Sequence, residues 1–367
     1  MARAPRIKHY HAPGRVNLIG EHTDYNAGFV MPIAIAVGCD VRVSSIRKKE
    51  IRLTSKQFAG DLSFPLNSIA DMTKTGTWAD YVMGVAKEIL ALGFELKPSH
   101  LAIDSSVPTG SGLSSSAALE VSSALALLGD NEVPKVELAR LCQRAEREFV
   151  GMPCGIMDQY ASVFGEAHKA IMLDCRSTTH KLVPIPDGAE IVVVNSMVKH
   201  ELGSSAYRNR VAECQQALSH FPGKPALRDV TLGELERTAA KMEEIPLARA
   251  RHVILEDLRV ENFLVAAEDG DLPMMGKLMV ESHRSLQHDY EVSCEELDSL
   301  VDTALTIDGV FGSRMTGGGF GGCTVNLVDP EFVDAFEREI SARYQEQWKL
   351  TPAIYRFSPS AGARRVE

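Results

Sequence analysis

A run of small residues leading into a predicted helix constrains this chain more than any other segment. It reads VPTGSGLSSSAALEV, from Val107 to Val121. Gly110 and Gly112 permit backbone turns that side chains forbid, and the serines that follow can supply hydroxyl groups and helix caps. A helix N-terminus after a glycine loop presents free N–H groups and the positive end of the helix dipole. The segment therefore predicts either an anion-binding loop or an ordinary serine-capped helix. It lacks the lysine of the GxxxxGK[ST] phosphate loop.

The composition excludes several classes of protein. The 367 residues include 39 Lys and Arg against 49 Asp and Glu, a net charge of −10. This charge disfavours nucleic-acid binding, because phosphates must be neutralised by basic side chains. Seven scattered cysteines without CxxC spacing suggest neither a disulfide framework nor a zinc site. No secretory signal or membrane-spanning apolar run is visible. We therefore expect a cytoplasmic protein that binds neither nucleic acid nor a membrane.

Strand and helix patterns are interleaved along the chain without regular βαβ units. Residues 28–46 are rich in Val and Ile and partly alternate, which favours strands. Residues 78–93 and 135–150 have the apolar periodicity of amphipathic helices. The middle of the chain, 204–305, is predicted to be mostly helical. This order indicates an α+β fold in two domains, with a junction near residues 175–190.

A second segment concentrates polar side chains after an apolar strand. Residues 12–28 read APGRVNLIGEHTDYNAG and contain a row of four polar residues, Glu21, His22, Thr23 and Asp24. Carboxylates accept hydrogen bonds from sugar hydroxyls, and histidine can donate or accept. The same residue types are common in solvated turns. From this segment alone, a binding site and an exposed turn both stay open.

Three further polar or glycine-rich segments each allow two interpretations. Asp158 precedes a short predicted helix, where it is either an N-cap or a carboxylate base. On the predicted helix 135–150, Glu146 and Glu148 border the apolar stripe, and spacing does not decide which of them faces a cleft. Residues 315–322, MTGGGFGG, contain five glycines. These glycines allow the backbone to approach a ligand closely, or they form a flexible connection.

Together these segments resemble the three motifs of the GHMP kinases, the galacto-, homoserine, mevalonate and phosphomevalonate kinases. GRVNLIGEHTDYNAG resembles the galactokinase signature, PTGSGLSSSAA the phosphate-binding motif and MTGGGFGG the third motif. WADYV, AEREFVGMPCGIMDQ, SSAYRNRVAEC and SHRSLQHDYEVSCEELD are also similar to galactokinases. The resemblance runs over residues 6–359. It implies a two-domain α+β GHMP kinase fold, with domains 1–180 and 181–367 and the active site in the cleft between them.

The resemblance also implies roles for individual residues. Asp158 would be the catalytic base, and Arg15 beside it would stabilise the transition state. The sugar-binding residues would be Glu21, His22, Thr23, Asp24, Gly155 and Tyr207. The ATP-binding residues would be Gly110, Ser111, Gly112, Leu113, Ser114, Ser115, Ser116, Trp78 and Tyr81. Mg²⁺ would be held by Ser116 and Glu146, which selects Glu146 over Glu148.

The activity that the resemblance implies is transfer of the γ-phosphoryl group of ATP to the anomeric hydroxyl of galactose, giving galactose 1-phosphate and ADP. Mg²⁺ would be the cofactor, galactose and ATP the small-molecule partners, and the chain a monomer or a weak dimer. Two alternatives stay open. One is a kinase of a related sugar, such as N-acetylgalactosamine or arabinose; the other is a non-catalytic sensor of galactose and ATP. The intact serine loop and Asp158 favour an enzyme.

Overall fold

The computed structural model describes residues 7–108, 110–199 and 203–366. Within them the helices are α1 (Ala79–Ala91), α2 (Ser115–Leu128), α3 (Lys135–Arg144), α4 (Met157–Phe164), α5 (Gly203–Ser219), α6 (Leu232–Thr238), α7 (Glu244–Asp269), α8 (Leu272–His288), α9 (Glu295–Ala304) and α10 (Val333–Trp348). The strands are β1 (Lys8–Asn17), β2 (Phe29–Val30), β3 (Pro32–Ser45), β4 (Glu50–Ser55), β5 (Leu62–Pro65), β6 (Ser99–Ser105), β7 (Lys169–Asp174), β8 (Thr179–Pro184), β9 (Glu190–Lys199), β10 (Val310–Thr316), β11 (Gly321–Val328), β12 (Ala353–Phe357) and β13 (Arg364–Arg365). The predicted α+β class and the helical middle of the chain are confirmed.

The strands form three sheets. The largest has six strands in the order β13-β1-β3-β6-β4-β5, the next has four in the order β10-β11-β9-β12, and the smallest has three in the order β2-β7-β8. Strands β4 and β6 pair in parallel, whereas β1 and β3 pair antiparallel. The β1–β3 register shifts between Pro13 and Arg15. A bulge of this kind re-aims the side chains that follow it, and here it precedes Arg15.

The main hydrophobic core lies between the six-stranded sheet and helices α1 and α2. Strand β6 alternates buried and partly exposed residues, so that its buried Leu101 and Ile103 meet Val82 of α1 and Val121 of α2 in one cluster. A second cluster joins α5, α7 and α8, and a third packs α9 and α10 on the four-stranded sheet. Burying these apolar faces against one another supplies the main driving force for the fold.

The predicted helix over residues 135–150 is α-helical only as far as Arg144. From Ala145 to Val150 it continues as a π-helical turn, called the π turn below. π turns within α-helices are frequent at functional sites, and this one includes Glu146. The periodicity of the sequence cannot show it, because a π turn adds one residue without changing the residue types.

The expected domain boundary between residues 180 and 181 falls inside β8, which pairs with β7 from Thr179 to Pro184. The division into domains 1–180 and 181–367 stays a prediction. In the part of the chain that the structure describes, no helix combines the length and the apolar character that crossing a membrane requires.

Candidate active site

Two adjoining cavities lie where the predicted motifs meet. The first, of about 250 Å³, is called the polar cavity; it is lined by Arg15, Glu21, His22, Asp24, Gly110, Gly112, Ser114, Ser115, Ser116, Glu146, Met152, Cys154, Gly155, Met157, Asp158, Tyr207, Gly317 and Gly318. The second, of about 260 Å³, is called the aromatic cavity because its wall includes Phe58, Trp78 and Tyr81. The two cavities share Gly110, Ser115 and Ser116. These residues belong to the segment 110–116, called the glycine–serine loop below, whose last two residues begin α2.

Arg15 and Asp158 form a tight ion pair in the wall of the polar cavity. The Nε and Nη2 atoms of Arg15 lie 2.9 and 2.7 Å from Asp158 Oδ1. The Nη1 atom donates to the carbonyl of Gly112 at 2.5 Å. The second carboxylate oxygen of Asp158 accepts a hydrogen bond from Ser114 Oγ at 2.7 Å. The carboxylate is therefore held between β1 and the glycine–serine loop, with its position set by charge-assisted hydrogen bonds.

Ser114 stands at the N-cap position of α2 but does not cap the helix. Its backbone is left-handed, with φ 60° and ψ 50°, and its side chain makes no capping hydrogen bond. The hydroxyl binds Asp158 instead. The serine-capped interpretation is therefore wrong for this residue. Within the described residues, Ser114 thus leaves the first N–H groups of α2 uncapped beside the polar cavity. Free N–H groups at a helix N-terminus can bind phosphate.

The N-cap interpretation of Asp158 is wrong as well. The N-cap of α4 is Ile156, and Asp158 lies one residue inside the first turn. Its side chain points to Arg15 and Ser114 rather than to the backbone N–H groups of its own helix. The carboxylate is 24% exposed, so a ligand in the polar cavity can reach it. The role of Asp158 as a carboxylate base stays a prediction.

Glu21 joins the signature segment to the third motif. It is 2% exposed, and its Oε1 accepts hydrogen bonds from Thr316 Oγ1 at 3.0 Å and from the backbone N–H of Gly317 at 2.8 Å. Arg314 Nη1 lies 3.7 Å from the same oxygen. Burial raises the pKa of Glu21, and Arg314 and Arg15 oppose that rise. Gly317 of the third motif thus packs on Glu21, and Cβ atoms added to Gly317 and Gly322 would lie only 3.0 Å from Gly112 O and 3.1 Å from Ser111 O of the second motif.

Asp24 and Gly155 occupy one narrow part of the polar cavity. Burial, followed by the charges of Asp158 and Glu21, raises the pKa of Asp24 to about 7. A Cβ atom added to Gly155 would lie 1.9 Å from Asp24 Oδ2. Only glycine at position 155 therefore allows the Asp24 carboxylate to keep its present position.

His22 is held in an unusual backbone conformation. Its φ of 65° is in the left-handed region, which is rare for residues other than glycine and clusters at functional sites. Burial lowers the pKa of His22 to about 3, with further lowering by His252 and Arg210. The ring is therefore neutral at physiological pH, and it packs against Tyr207 at a centroid distance of 5.4 Å.

Some predicted site residues lie behind the cavity walls. Thr23 is fully buried, and its hydroxyl contacts the carbonyls of Gly20 and Phe29 at 2.8 and 2.6 Å. Thr23 therefore stabilises the turn of the signature segment between Gly20 and Phe29, and it does not line the polar cavity. Ser111 and Leu113 are also buried: the Ser111 hydroxyl donates to the Pro108 carbonyl, and the Leu113 carbonyl accepts from Arg15 N. These two residues shape the loop.

Glu146 faces the polar cavity from the π turn, whereas Glu148 is exposed on its outer side. Burial and the charge of Asp158 raise the pKa of Glu146 to about 7, while a hydrogen bond with Ser116 opposes the rise. Gln159 Nε2 donates to Glu146 at 2.6 Å and to Glu120 at 2.9 Å. The amide thus holds two buried carboxylates in place.

The wall of the aromatic cavity contains both aromatic residues that the sequence predicts to bind ATP. Trp78 and Tyr81 line it, and the Trp78 ring stacks on Phe58 with centroids 5.8 Å apart and planes 13° from parallel. Flat apolar walls of this kind suit a planar heterocycle. Ser115 and Ser116, the first two residues of α2, also line this cavity.

Several residues of the site carry little or no signal in the sequence. Cys154 and Met157 line the polar cavity, yet neither residue type suggested a role. Gln159 and Glu120 support Glu146 from positions that read as ordinary helix residues. Phe58 lies in a segment without a clear pattern. Adjacency to Asp158 was the one signal that pointed toward Gln159.

Comparison with known proteins places these features in a family. Family models match for the galactokinase galactose-binding signature over residues 2–45, the GHMP kinases N terminal domain over 80–166 and the GHMP kinases C terminal domain over 263–346. The galactokinase of Homo sapiens is 44% identical over 363 residues, which are 96% of this chain and 91% of that protein. This chain belongs to the galactokinase family. The galactokinase of Roseiflexus sp. (strain RS-1) is 42% identical over 361 residues, 97% of this chain and 92% of that one.

Solved structures agree with membership of the galactokinase family. Lactococcus lactis galactokinase complexed with galactose superposes with a TM-score of 0.95 at 35% identity, covering 98% of this chain and 95% of that chain. A mevalonate kinase has a TM-score of 0.65 at 20% identity, covering 98% of this chain and 99% of that one; this likeness concerns the fold. The predicted GHMP kinase fold and the resemblance to galactokinases are confirmed.

Proposed function

We propose that this chain transfers the γ-phosphoryl group of ATP to the anomeric hydroxyl of galactose. The observation that carries the proposal is the Arg15–Asp158–Ser114 arrangement, which places a carboxylate in a cavity whose other wall is the galactokinase signature. Asp158 is the proposed base and Arg15 the proposed transition-state stabiliser. Both were predicted from the sequence, and their contacts in the structure support these roles.

The polar cavity is the proposed galactose site. Carboxylates of Glu21 and Asp24 accept from sugar hydroxyls, and the neutral ring of His22 supplies one donor or one acceptor. Tyr207 and Gly155 complete this wall. Thr23 is proposed to act by shaping the turn, because both of its hydroxyl contacts are with backbone carbonyls.

The aromatic cavity and the glycine–serine loop form the proposed ATP site. The adenine base lies against Trp78 and Tyr81, and the phosphates lie at the N-terminus of α2, where Gly110, Ser115 and Ser116 border both cavities. A chain with a net charge of −10 can bind a polyanion in this way, because backbone N–H groups and the helix dipole supply local positive potential.

Mg²⁺ is the proposed cofactor, and the residues present fit it. Ser116 and Glu146 offer hard oxygen ligands in the same cavity wall, and Mg²⁺ is bound through one or two carboxylates together with substrate phosphates. When bound, the ion offsets the charge of the β- and γ-phosphates.

The chemistry of this chain's own residues follows from the ion pair. A sugar hydroxyl is a weak nucleophile until its proton is removed. Asp158 accepts that proton while the hydroxyl oxygen bonds to the γ-phosphorus and the bond from that phosphorus to the bridging oxygen of the β-phosphate breaks, so that ADP leaves. Arg15 stabilises negative charge on Asp158 before the transfer and on the phosphoryl oxygens during it. Ser114 orients the carboxylate by donating to the oxygen that Arg15 leaves free.

Turnover of a sugar panel tests the proposal. Purified protein with Mg-ATP should release ADP with galactose and much more slowly with N-acetylgalactosamine, arabinose or glucose. NMR of the product should show phosphorus coupling at C1. Phosphate on C6, or rapid turnover of another sugar without galactose turnover, would overturn the assignment. Binding of galactose and ATP without any ADP release would show a sensor instead.

The Gly155→Ala variant should weaken galactose binding. Its Cβ atom would force the Asp24 carboxylate away. Above about pH 8, where Asp24 with its pKa of about 7 is ionised, loss of a hydrogen bond to this charged group should raise the KM for galactose ~10–100-fold. The KM for ATP should stay unchanged. Gly233→Ala in α6 is the matched control, because its added Cβ would meet only Arg237 Nη1 at 3.4 Å. Equal galactose KM values for the two variants would remove Asp24 from the sugar site.

The Glu146→Gln variant should raise the Mg²⁺ concentration needed for half-maximal rate. Loss of an outer partner of a metal ligand costs 10–100-fold in affinity, so loss of the ligand itself should cost at least ~10-fold. Glu148→Gln, on the exposed side of the π turn, is the matched control and should have little effect. Similar Mg²⁺ titration curves for the two variants would refute the assignment of Glu146.

We also propose the cytoplasm as the site of this reaction and a monomer or weak dimer as the working form. All seven cysteines are free thiols, a state that a reducing compartment maintains. Analytical ultracentrifugation would measure the oligomeric state.

A further inference from the structure

A chain of hydrogen bonds leads away from His22 into the helical half of the molecule. His22 Nδ1 lies 2.8 Å from Tyr25 Oη, which lies 2.7 Å from Tyr290 Oη. Tyr290 Oη in turn lies 3.0 Å from Cys214 Sγ on α5. We call Tyr25, Tyr290 and Cys214 the hydroxyl–thiol relay. Tyr290 and Cys214 are 0% and 2% exposed, so water does not compete for these contacts.

The direction of the hydrogen bonds follows from Asn26 at the far end of the relay. Asn26 Nδ2 contacts the carbonyl of His22 at 3.0 Å, and a carbonyl only accepts, so this atom of the amide is the nitrogen. The same nitrogen donates to Cys214 Sγ at 3.6 Å. Because the sulfur already accepts this hydrogen bond, its own S–H is left to donate to Tyr290.

The remaining protons then have one consistent order. Tyr290 accepts from Cys214 and donates to Tyr25, and Tyr25 donates to His22 Nδ1. In the reverse order Cys214 would accept two hydrogen bonds at a weakly accepting sulfur, and its S–H would lose its partner Tyr290. The forward order uses every hydroxyl and thiol proton of the relay, and buried polar groups are rarely left without a hydrogen bond.

We infer that the hydroxyl–thiol relay fixes His22 in the tautomer that carries its proton on Nε2, so that the ring donates a hydrogen bond to an oxygen of the sugar. His22 Nε2 is buried and has no hydrogen-bond partner of regular geometry within the described residues. The backbone of Gly318 also interacts with the His22 ring and opposes the lowering of its pKa, so a sugar oxygen would compete with Gly318 for the ring proton. The inference rests on the proposed galactose site. Tyr25, Tyr290 and Cys214 are positioning residues, because they act on the sugar only through His22.

The packing around the ring supports the same role. His22 has a strained left-handed backbone, and its ring lies 4.9 Å from the Tyr290 ring and 5.4 Å from the Tyr207 ring, centroid to centroid. Tyr207 and Cys214 both belong to α5. One helix therefore supplies a wall residue of the polar cavity and the end of the relay that orients His22.

Nitrogen-15 NMR of the ligand-free protein tests the tautomer directly. The protein is labelled with ¹⁵N-histidine, and the chain has eleven histidines. The signals of His22 are identified as those that are present in the unchanged chain and absent from the His22→Gln variant. We expect the ¹⁵N chemical shift of His22 Nδ1 to be that of an unprotonated ring nitrogen, and the ¹⁵N chemical shift of Nε2 to be that of a protonated one. In Tyr290→Phe both shifts should move toward intermediate values, since the ring then samples two tautomers. A protonated Nδ1 in the unchanged chain, or unchanged His22 shifts in Tyr290→Phe, would overturn the inference.

Calorimetric titration tests the consequence for binding. Tyr290→Phe should bind galactose ~10-fold more weakly, the scale of one hydrogen bond, with the Kd of ATP unchanged. Cys214→Ser keeps a donor and an acceptor and should bind like the unchanged chain, whereas Cys214→Ala should resemble Tyr290→Phe. The matched control is Tyr344→Phe, which removes a buried hydroxyl bound to the Ser196 carbonyl. Equal Kd values for galactose in Tyr290→Phe and Tyr344→Phe would contradict the inference.

The two measurements separate this inference from the proposed function. The tautomer is read in protein without any sugar. If the unchanged chain fails to bind galactose, the proposed function fails whatever the tautomer is. If the unchanged chain binds galactose and the NMR shifts do not respond to Tyr290→Phe, only the relay fails.

Discussion

The Asp158→Asn protein is expected to fold, to bind galactose and ATP, and to turn over at least ~100-fold more slowly than the unchanged chain. Asparagine has the same shape and can still accept from Arg15, but it cannot take a proton from the sugar. A 100-fold loss corresponds to about 2.7 kcal/mol of transition-state stabilisation. Steady-state kcat measures the loss, and thermal melting and galactose titration check folding and binding.

The control for Asp158→Asn is Asp302→Asn. Asp302 is an exposed carboxylate that pairs with Arg284 and does not line either cavity. Its replacement should leave kcat unchanged. If Asp158→Asn keeps most of its turnover, Asp158 is not a base. Arg15 would then act by positioning and charge stabilisation alone, as a largely dissociative phosphoryl transfer allows.

Replacing Arg15 by methionine should lower kcat by about 10²–10³-fold, the usual cost of losing a preorganised donor at developing charge. Methionine keeps much of the volume of this buried side chain but removes all three contacts, two to Asp158 Oδ1 and one to the Gly112 carbonyl. The double variant Arg15→Met, Asp158→Asn should lose less than the product of the two single effects, since residues that act as a unit are not additive.

Arg228→Met is the matched control for Arg15→Met. Arg228 is also largely buried and pairs with Asp174, and its guanidinium stacks on Phe29, away from both cavities. The Arg228→Met substitution should lower the melting temperature without changing the kcat of the folded protein. Two results would show that Arg15 serves folding rather than the transfer. One is a kcat loss in the double variant equal to the product of the two single losses; the other is an equal kcat loss in Arg15→Met and Arg228→Met.

The local features of the site could be predicted from sequence. The glycine–serine loop, the helix that follows it and the row of polar residues at Glu21–Asp24 all depend on contacts within a few residues. Turn formation, helix propensity and side-chain chemistry are properties of such short segments. The family resemblance then assigned roles to Arg15, Asp158 and Glu146, and the structure brings these three into one cavity.

Choices between neighbouring residues needed the tertiary structure. Spacing left Glu146 and Glu148 equivalent, and the π turn directs the first to the polar cavity while the second stays exposed. Asp158 fitted a helix cap by residue type, but the cap position belongs to Ile156. Thr23 is next to predicted sugar-binding residues in the sequence, but its hydroxyl contacts two backbone carbonyls and does not face the polar cavity. In each case the outcome depends on which way a side chain points.

The sequence by itself determined the family, the α+β class and the chemical groups available to the site, because these depend on residue types and their local order. Only the tertiary structure decided which groups meet. Tyr25 and Tyr290 are 265 positions apart and share a hydrogen bond, and Glu21 binds Thr316 across 295 positions. Such contacts form only when packing of the apolar cores brings distant segments together, so no local pattern in the chain encodes them.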